Sequence, residues 1–134
     1  MREFQNVRFP DPLVLKYPAG AGARHGVVDW HLERDFRVLW TDRGKDRHYT
    51  ARAGLITDRS SIPGWAQSIV QKDGPKVRAS VIHDDLYENK PEGWTRKDAD
   101  WLLYYGCRAS GTPWLEANGM YYAVRIGGQR AWDT

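Results

Sequence analysis

His83, Asp84, Asp85 and Tyr87 fall together in the stretch SVIHDDLYENK, residues 80–90, whose apolar positions have helical spacing. A half-buried imidazole needs a partner for each ring nitrogen. When a carboxylate holds one nitrogen, the other is oriented as a base toward a water or a hydroxyl. On a helix His83 and Tyr87 stack one turn apart, on the face that carries Ile82 and Leu86, and Asp84 lies about 100° round. The spacing puts Asp84 on a flank that can face a cleft. It puts Asp85 further toward solvent, beside Arg78. The carboxylate expected to hold the imidazole is Asp100, 17 positions on, because the short Pro91–Trp94 connection folds the next helix back antiparallel. Two readings stand side by side: a base poised for chemistry, or a core histidine satisfied by a neighbouring carboxylate and contributing only stability.

A second polar cluster, Thr57, Asp58, Ser60 and Ser61 in GLITDRSSIPGW, follows a strand-like run and precedes a helical one. Such a Thr-Asp pair is often an Asx turn or an N-cap, but loops between elements also carry function. Ser60 and Ser61 are candidate nucleophiles beside His83, with Asp100 completing a Ser-His-Asp set; no G-x-S-x-G elbow accompanies them. Arg96 and Asp100 are four residues apart, so Arg96 either pairs with Asp100 or reaches Asp84 or Asp58 and orders an acidic site.

The elements that must position these residues change character near residue 60. FRVLW (36–40) and HYTARAG (48–54) flank the polar TDRGKDR and predict a β-hairpin with a long turn. VVDWHLE (27–33) alternates as a half-buried strand, and FQNVRF and PLVLKY read as short edge strands. Beyond residue 60 the apolar period is helical. SIPGWAQSIV predicts a short helix, and GPKVRASVIHDDLYEN a longer one that stops before Pro91. The third, TRKDADWLLYYGCRAS, opens with Thr95 as N-cap and Asp98 at N3, and carries an Ala99/Leu102/Leu103/Gly106 stripe. The last, TPWLEANGMYYAVRIGG, has Thr112 as N-cap, Pro113 at N1 and Gly127-Gly128 as its stop. Its expected buried stripe is Leu115, Gly119, Tyr122, Ala123 and Ile126. The expected fold is α+β: one domain over 1–134, mainly β over 1–58 as an N-terminal antiparallel sheet, and mainly α over 59–134 as a bundle of three to four helices.

At these residues the chain resembles a family of small phage-related proteins of unassigned function. The resemblance rests on TDRSSIP (57–63), ASVIHDDLY (79–87) and RKDAD (96–100) in that order, with the closing YYAVRIGGQRAW (121–132). It covers roughly residues 36–132 and implies a phage origin, with no settled activity. A narrower resemblance links His-Asp-x-x-Tyr, with an Asp on the following helix, to small calcium-dependent secreted phospholipases. It implies His83 as the base, Tyr87 and Asp100 as its supports, and Asp84 as a ligand of calcium. Those enzymes use a Gly-rich calcium loop and disulfides, which this chain lacks; Asp58 is the residue that can supply an oxygen to a hard cation instead. The implied chemistry is ester or amide hydrolysis by a His-activated water, on host envelope material during entry or lysis. The alternatives are a non-enzymatic virion protein, such as a tail or connector accessory whose polar cluster locks the fold, and an intracellular phage protein that binds a host factor.

Length and composition agree with these classes. The 134 residues suit one domain with a modest core. Net charge is +3, with basic residues interleaved among acids, which argues against nucleic acid as partner. The single cysteine, Cys107, excludes an internal disulfide, and a C-x-x-C metal knuckle is absent. The N-terminal MREFQNVRFPDP does not read as a signal peptide, and no run of about 18 apolar residues occurs. The expected setting is the host cytoplasm at synthesis, with later incorporation in the virion open, alongside other virion proteins or a host envelope component. Of the seven tryptophans, five (Trp65, Trp94, Trp101, Trp114 and Trp132) lie in the helical half, as core packing or as a contact surface.

Overall fold

The computed structural model describes residues 2–16, 30–57 and 76–133. Its most regular β element is a hairpin of β4 (Phe36–Asp42) and β5 (Lys45–Ala51), paired antiparallel from Phe36↔Ala51 to Asp42↔Lys45. The strands run closer together in sequence than FRVLW and HYTARAG predict, and the turn is two residues, not seven. Arg43 and Gly44 both take positive φ, 51° and 80°, the primed turn whose twist matches that of the strands it joins. Phe36, Val38 and Trp40 alternate inward along β4. β1 (Gln5–Arg8) pairs with the other edge of β4, giving the sheet order β1-β4-β5. A second three-stranded antiparallel sheet joins β2 (Leu15–Lys16), β3 (Trp30–Leu32) and β6 (Ile56–Thr57) in the order β2-β3-β6. The two expected edge strands are therefore present at sheet edges.

Among the described residues four helices follow: α1 (Val77–Asn89), α2 (Arg96–Ala109), α3 (Trp114–Gly127) and the short α4 (Gln129–Asp133). The mixed α+β architecture is as expected, sheet first and helices second. The helix expected over SIPGWAQSIV lies outside the described residues. α1 ends at Lys90, in the left-handed region at φ 42°, just before Pro91. α2 begins with the full capping box: the Thr95 hydroxyl accepts from the Asp98 N–H at 3.0 Å, and the Asp98 carboxylate accepts from the Thr95 N–H at 3.4 Å. α3 starts one residue later than predicted. Its N-cap is Pro113 with no side-chain cap, so Thr112 is not the cap. It stops at Gly127 with Gly128 as C-cap, as expected.

α1 is the central element. It packs on β4, β5 and β6 on one side and on α2 on the other. Contact on both sides explains why nine of its thirteen residues are buried. The approach of α1 to α2 depends on Gly106. A Cβ there would lie 2.8 Å from the Ala79 Cβ and 3.1 Å from the Phe9 ring. Alanine would ordinarily gain about 1 kcal/mol over glycine inside a helix, but here the neighbour is a helix-borne methyl that cannot swing away. Gly106→Val is expected to cost roughly 2–3 kcal/mol by overpacking, measured by urea unfolding. Combining Gly106→Ala with Ala79→Gly should recover most of the loss of Gly106→Ala alone; failure of that rescue would place the strain elsewhere.

The expected stripe of α3 is corrected. Leu115, Tyr122 and Ile126 are 75%, 60% and 83% exposed, and Gly119 is exposed as well. Of the predicted stripe only Ala123 is buried; the inward face is Ala117, Met120, Tyr121, Ala123 and Val124. Both stripes have the helical period. The small Ala117 and Ala123 and the stacking of Tyr121 on Trp101, 4.2 Å between ring centroids, favour the second against α2.

Candidate functional site

Asp100 is the hub of the buried polar cluster. It sits on the first turns of α2, beside Ala99 and two residues before Leu102, and its side chain is fully buried. The short connection from α1 sets the two helices side by side. His83 Nε2 lies 2.7 Å from Asp100 Oδ1, and the Tyr87 hydroxyl donates to the same oxygen at 2.6 Å. His83 and Tyr87 are successive turns of one helix face, with ring centroids 4.3 Å apart. Three of the predicted residues, His83, Tyr87 and Asp100, are therefore brought together. Asp100 prefers the ionised form. Burial pushes its carboxyl up, but the hydrogen bonds from His83, Tyr87 and Arg125 outweigh burial and hold it below its ordinary value. Burial, then the charge and hydrogen bond of Asp100, push the Tyr87 hydroxyl up, so it stays a donor.

The second oxygen of Asp100 carries a residue that sequence reasoning missed. Arg125, near the end of α3, donates to Oδ2 at 2.8 Å. Its signal was a single cation within the otherwise uncharged MYYAVRIGG run. Arg96 is 3.6 Å from the same oxygen, and its guanidinium also donates to the carbonyls of Val124 and Arg125, which ties α2 to the end of α3. The i,i+4 pairing of Arg96 with Asp100 is thus present; its proposed reach to Asp84 gives way to these carbonyls. Trp132 of α4 closes the far side of Tyr87, edge to face with a 5.2 Å centroid separation.

Of the two acids that follow His83, Asp85 departs from its expected setting. Asp85, read as a solvated charge, is 2% exposed and accepts hydrogen bonds from the Tyr49 hydroxyl of β5 and, at 3.1 Å, from the Asn89 amide. Asp84 is half-buried. The correction follows from the packing of α1 between sheet and helix: a residue turned away from α2 meets β5 rather than water. Thr57 ends β6, paired with Trp30, in a strand that packs against α1. Asp58, Ser60 and Ser61 lie outside the described residues. Among the described residues, which do not include Asp58, no group of three His, Cys, Asp or Glu could hold a metal ion.

Burial pushes the Asp85 carboxyl above its ordinary value, against the hydrogen bonds from Tyr49 and Asn89, which lower it. The folded state therefore binds this proton more tightly than the unfolded chain. That contribution to stability is present below about pH 3.9 and is lost as the pH rises through the folded value. Asp85→Asn keeps an acceptor for Tyr49 and removes the titration. Its stability relative to the unsubstituted protein should rise between about pH 4 and pH 7, read by urea unfolding at both. A relative fall over that window would mean that the Asp85 charge is stabilised in the fold.

Antiparallel strands followed by packed helices, with a buried His–Asp–Tyr–Arg cluster, define the class of protein. The chain belongs to the family described as a protein of unknown function (DUF1353), whose model matches residues 30–124. It is 41% identical over 73 residues to the "Uncharacterized protein y4jT" of Sinorhizobium fredii, a match that takes in 53% of this chain and 21% of that protein. The aligned part is thus about a fifth of the relative's length. No solved structure matches the chain. No described helix is long and apolar enough to cross a membrane.

Proposed function

We propose that the protein is a phage-encoded hydrolase in which His83 activates a water for attack on an ester or amide. The observation that carries this reading is the shared oxygen of Asp100, which His83 Nε2 and the Tyr87 hydroxyl both reach at hydrogen-bonding distance. With Asp100 ionised, Nε2 carries the hydrogen and Nδ1 is the basic nitrogen. Nδ1 takes a proton from water as the oxygen forms its bond to the carbonyl carbon. The carbonyl π electrons move to oxygen, and their return expels the leaving group, which receives the proton from Nδ1. Asp100 stabilises the transient imidazolium, and Arg125 and Tyr87 fix its orientation. The phage setting rests on the ordered TDRSSIP, ASVIHDDLY and RKDAD elements, and the substrate class that suits it is host envelope material, lipid or cell-wall polymer.

A second reading, a virion component whose cluster is structural, is favoured by one observation: the side chains of His83 and Asp100 are both 0% exposed. Fully satisfied buried networks also serve to specify a packing. Turnover of phospholipid vesicles and of purified cell-wall polymer, with and without calcium, separates the two. The hydrolase reading expects turnover that is lost in His83→Gln while the variant stays folded by circular dichroism. An unsubstituted protein that turns over neither substrate under either condition sinks it.

A further inference from the structure

Away from His83, the outer end of the β4–β5 hairpin, residue Arg2 and the start of α2 enclose an open pocket of about 840 Å³. Four cationic side chains from four different segments line it: Arg2 before β1, Arg43 in the hairpin turn, Arg47 on β5 and Lys97 in the first turn of α2. Two carboxylates line it too, and each already has a cation. Asp98 is 2.9 Å from Arg2, and Asp42 is 3.7 Å from Arg43. Arg2 is further committed, lying 4.1 Å over the Trp94 ring and donating to the Gly93 carbonyl at 2.7 Å. Arg47 and Lys97 are the surplus: among the described residues the structure gives neither side chain a hydrogen bond or an ion pair.

A buried donor belongs to the same pocket. Trp40 is 2% exposed, lines the pocket, and its indole N–H meets no acceptor. Buried N–H groups of native proteins are almost always satisfied. Trp40 pairs directly across the hairpin with Arg47, so the two side chains share one face of the sheet. Surplus guanidinium and ammonium groups beside an unsatisfied N–H donor, over a tryptophan floor, match a ligand that is multiply anionic and rich in acceptor oxygens.

We propose that this pocket binds a phosphate-bearing ligand, with Arg47 and Lys97 holding the anionic oxygens and the Trp40 indole N–H donating to one of them. The site is separate from the His83–Asp100 centre and does not depend on its chemistry.

The probe is inorganic pyrophosphate, titrated into ¹⁵N-labelled protein at about 0.15 M salt, where long-range attraction between exposed charges is largely screened. The Trp40 indole resonance is assigned by its loss in Trp40→Phe. The expected result is a saturable shift of that resonance with roughly millimolar or tighter affinity. It should weaken at least tenfold in Arg47→Gln/Lys97→Gln, two exposed positions whose change leaves the core intact, and stay unchanged in Arg52→Gln, at the other end of β5. Vesicles of phosphatidylglycerol form a second arm. Flotation that depends on Arg47 and Lys97 supports the same site and names a lipid headgroup as the phosphate source, whereas pyrophosphate binding without flotation names a free small molecule. Shifts that sodium chloride reproduces at equal ionic strength, binding untouched by the double substitution, or no response in either arm would each overturn the proposal.

Discussion

Asp100→Asn is expected to lose about 3–5 kcal/mol of folding stability at pH 7, the usual cost of deleting one partner from a buried ionic cluster. The side chain is fully buried and answers four groups: His83, Tyr87, Arg125 and, at longer range, Arg96. Asparagine keeps the shape but removes the charge and turns an N–H donor toward groups that are themselves donors. Arg125 and Arg96 are then left as cations that are only 28% and 13% exposed. The dependence on pH follows from the lowered Asp100 value. Its stabilisation is fully present above about pH 3.9 and is lost as the pH falls through the folded value. The deficit of Asp100→Asn should therefore be largest at neutral pH and shrink in acid, the opposite sense to the Asp85 term. Chemical denaturation at pH 7 and pH 3 reads both. A deficit below about 1 kcal/mol at pH 7, the size of one ordinary hydrogen bond, would contradict the hub role.

His83→Gln is expected to lower kcat/KM by about 100- to 10,000-fold on whichever substrate the unsubstituted protein turns over, the range for removing a positioned general base. Glutamine has an amide N–H that can still reach Asp100, so the stability cost should be about 1 kcal/mol, one imperfect hydrogen bond. The contrast with Asp100→Asn is diagnostic. In the catalytic reading one variant loses rate and keeps its fold, and the other loses both. Turnover in His83→Gln within about tenfold of the unsubstituted protein would remove His83 from the role of base, since a general base contributes at least 100-fold.

Features held by neighbours in sequence were legible before the structure. The Thr95–Asp98 capping box, the stop at Gly127-Gly128 and the end of α1 before Pro91 involve groups within a few residues of one another, where backbone geometry leaves few choices. The pairing of His83 with Asp100 was also legible, because a short connection between two helices permits one antiparallel arrangement and the side chains have little freedom within it. The hairpin is legible in the sequence, but its turn is shorter than the polar run TDRGKDR implies. Arg43 is an uncommon residue at positive φ, and Gly44 marks the turn better than the polarity of the residues around it.

By itself, then, the sequence determined an α+β chain, the presence and order of most described elements, and the His83–Tyr87–Asp100 cluster. Only the tertiary structure decided which faces are inside. A periodic pattern states that a helix has an apolar stripe; it does not choose between two stripes when both exist, and α3 turned Met120 and Val124 inward in place of Leu115 and Ile126. Nor does it count the neighbours of a helix. Asp85 is buried because β5 brings Tyr49 to it from 36 residues away, and Arg125 meets Asp100 across 25 residues because α3 packs on α2. Such contacts depend on where whole elements dock, which is set by the burial of many side chains at once. No local spacing encodes that sum.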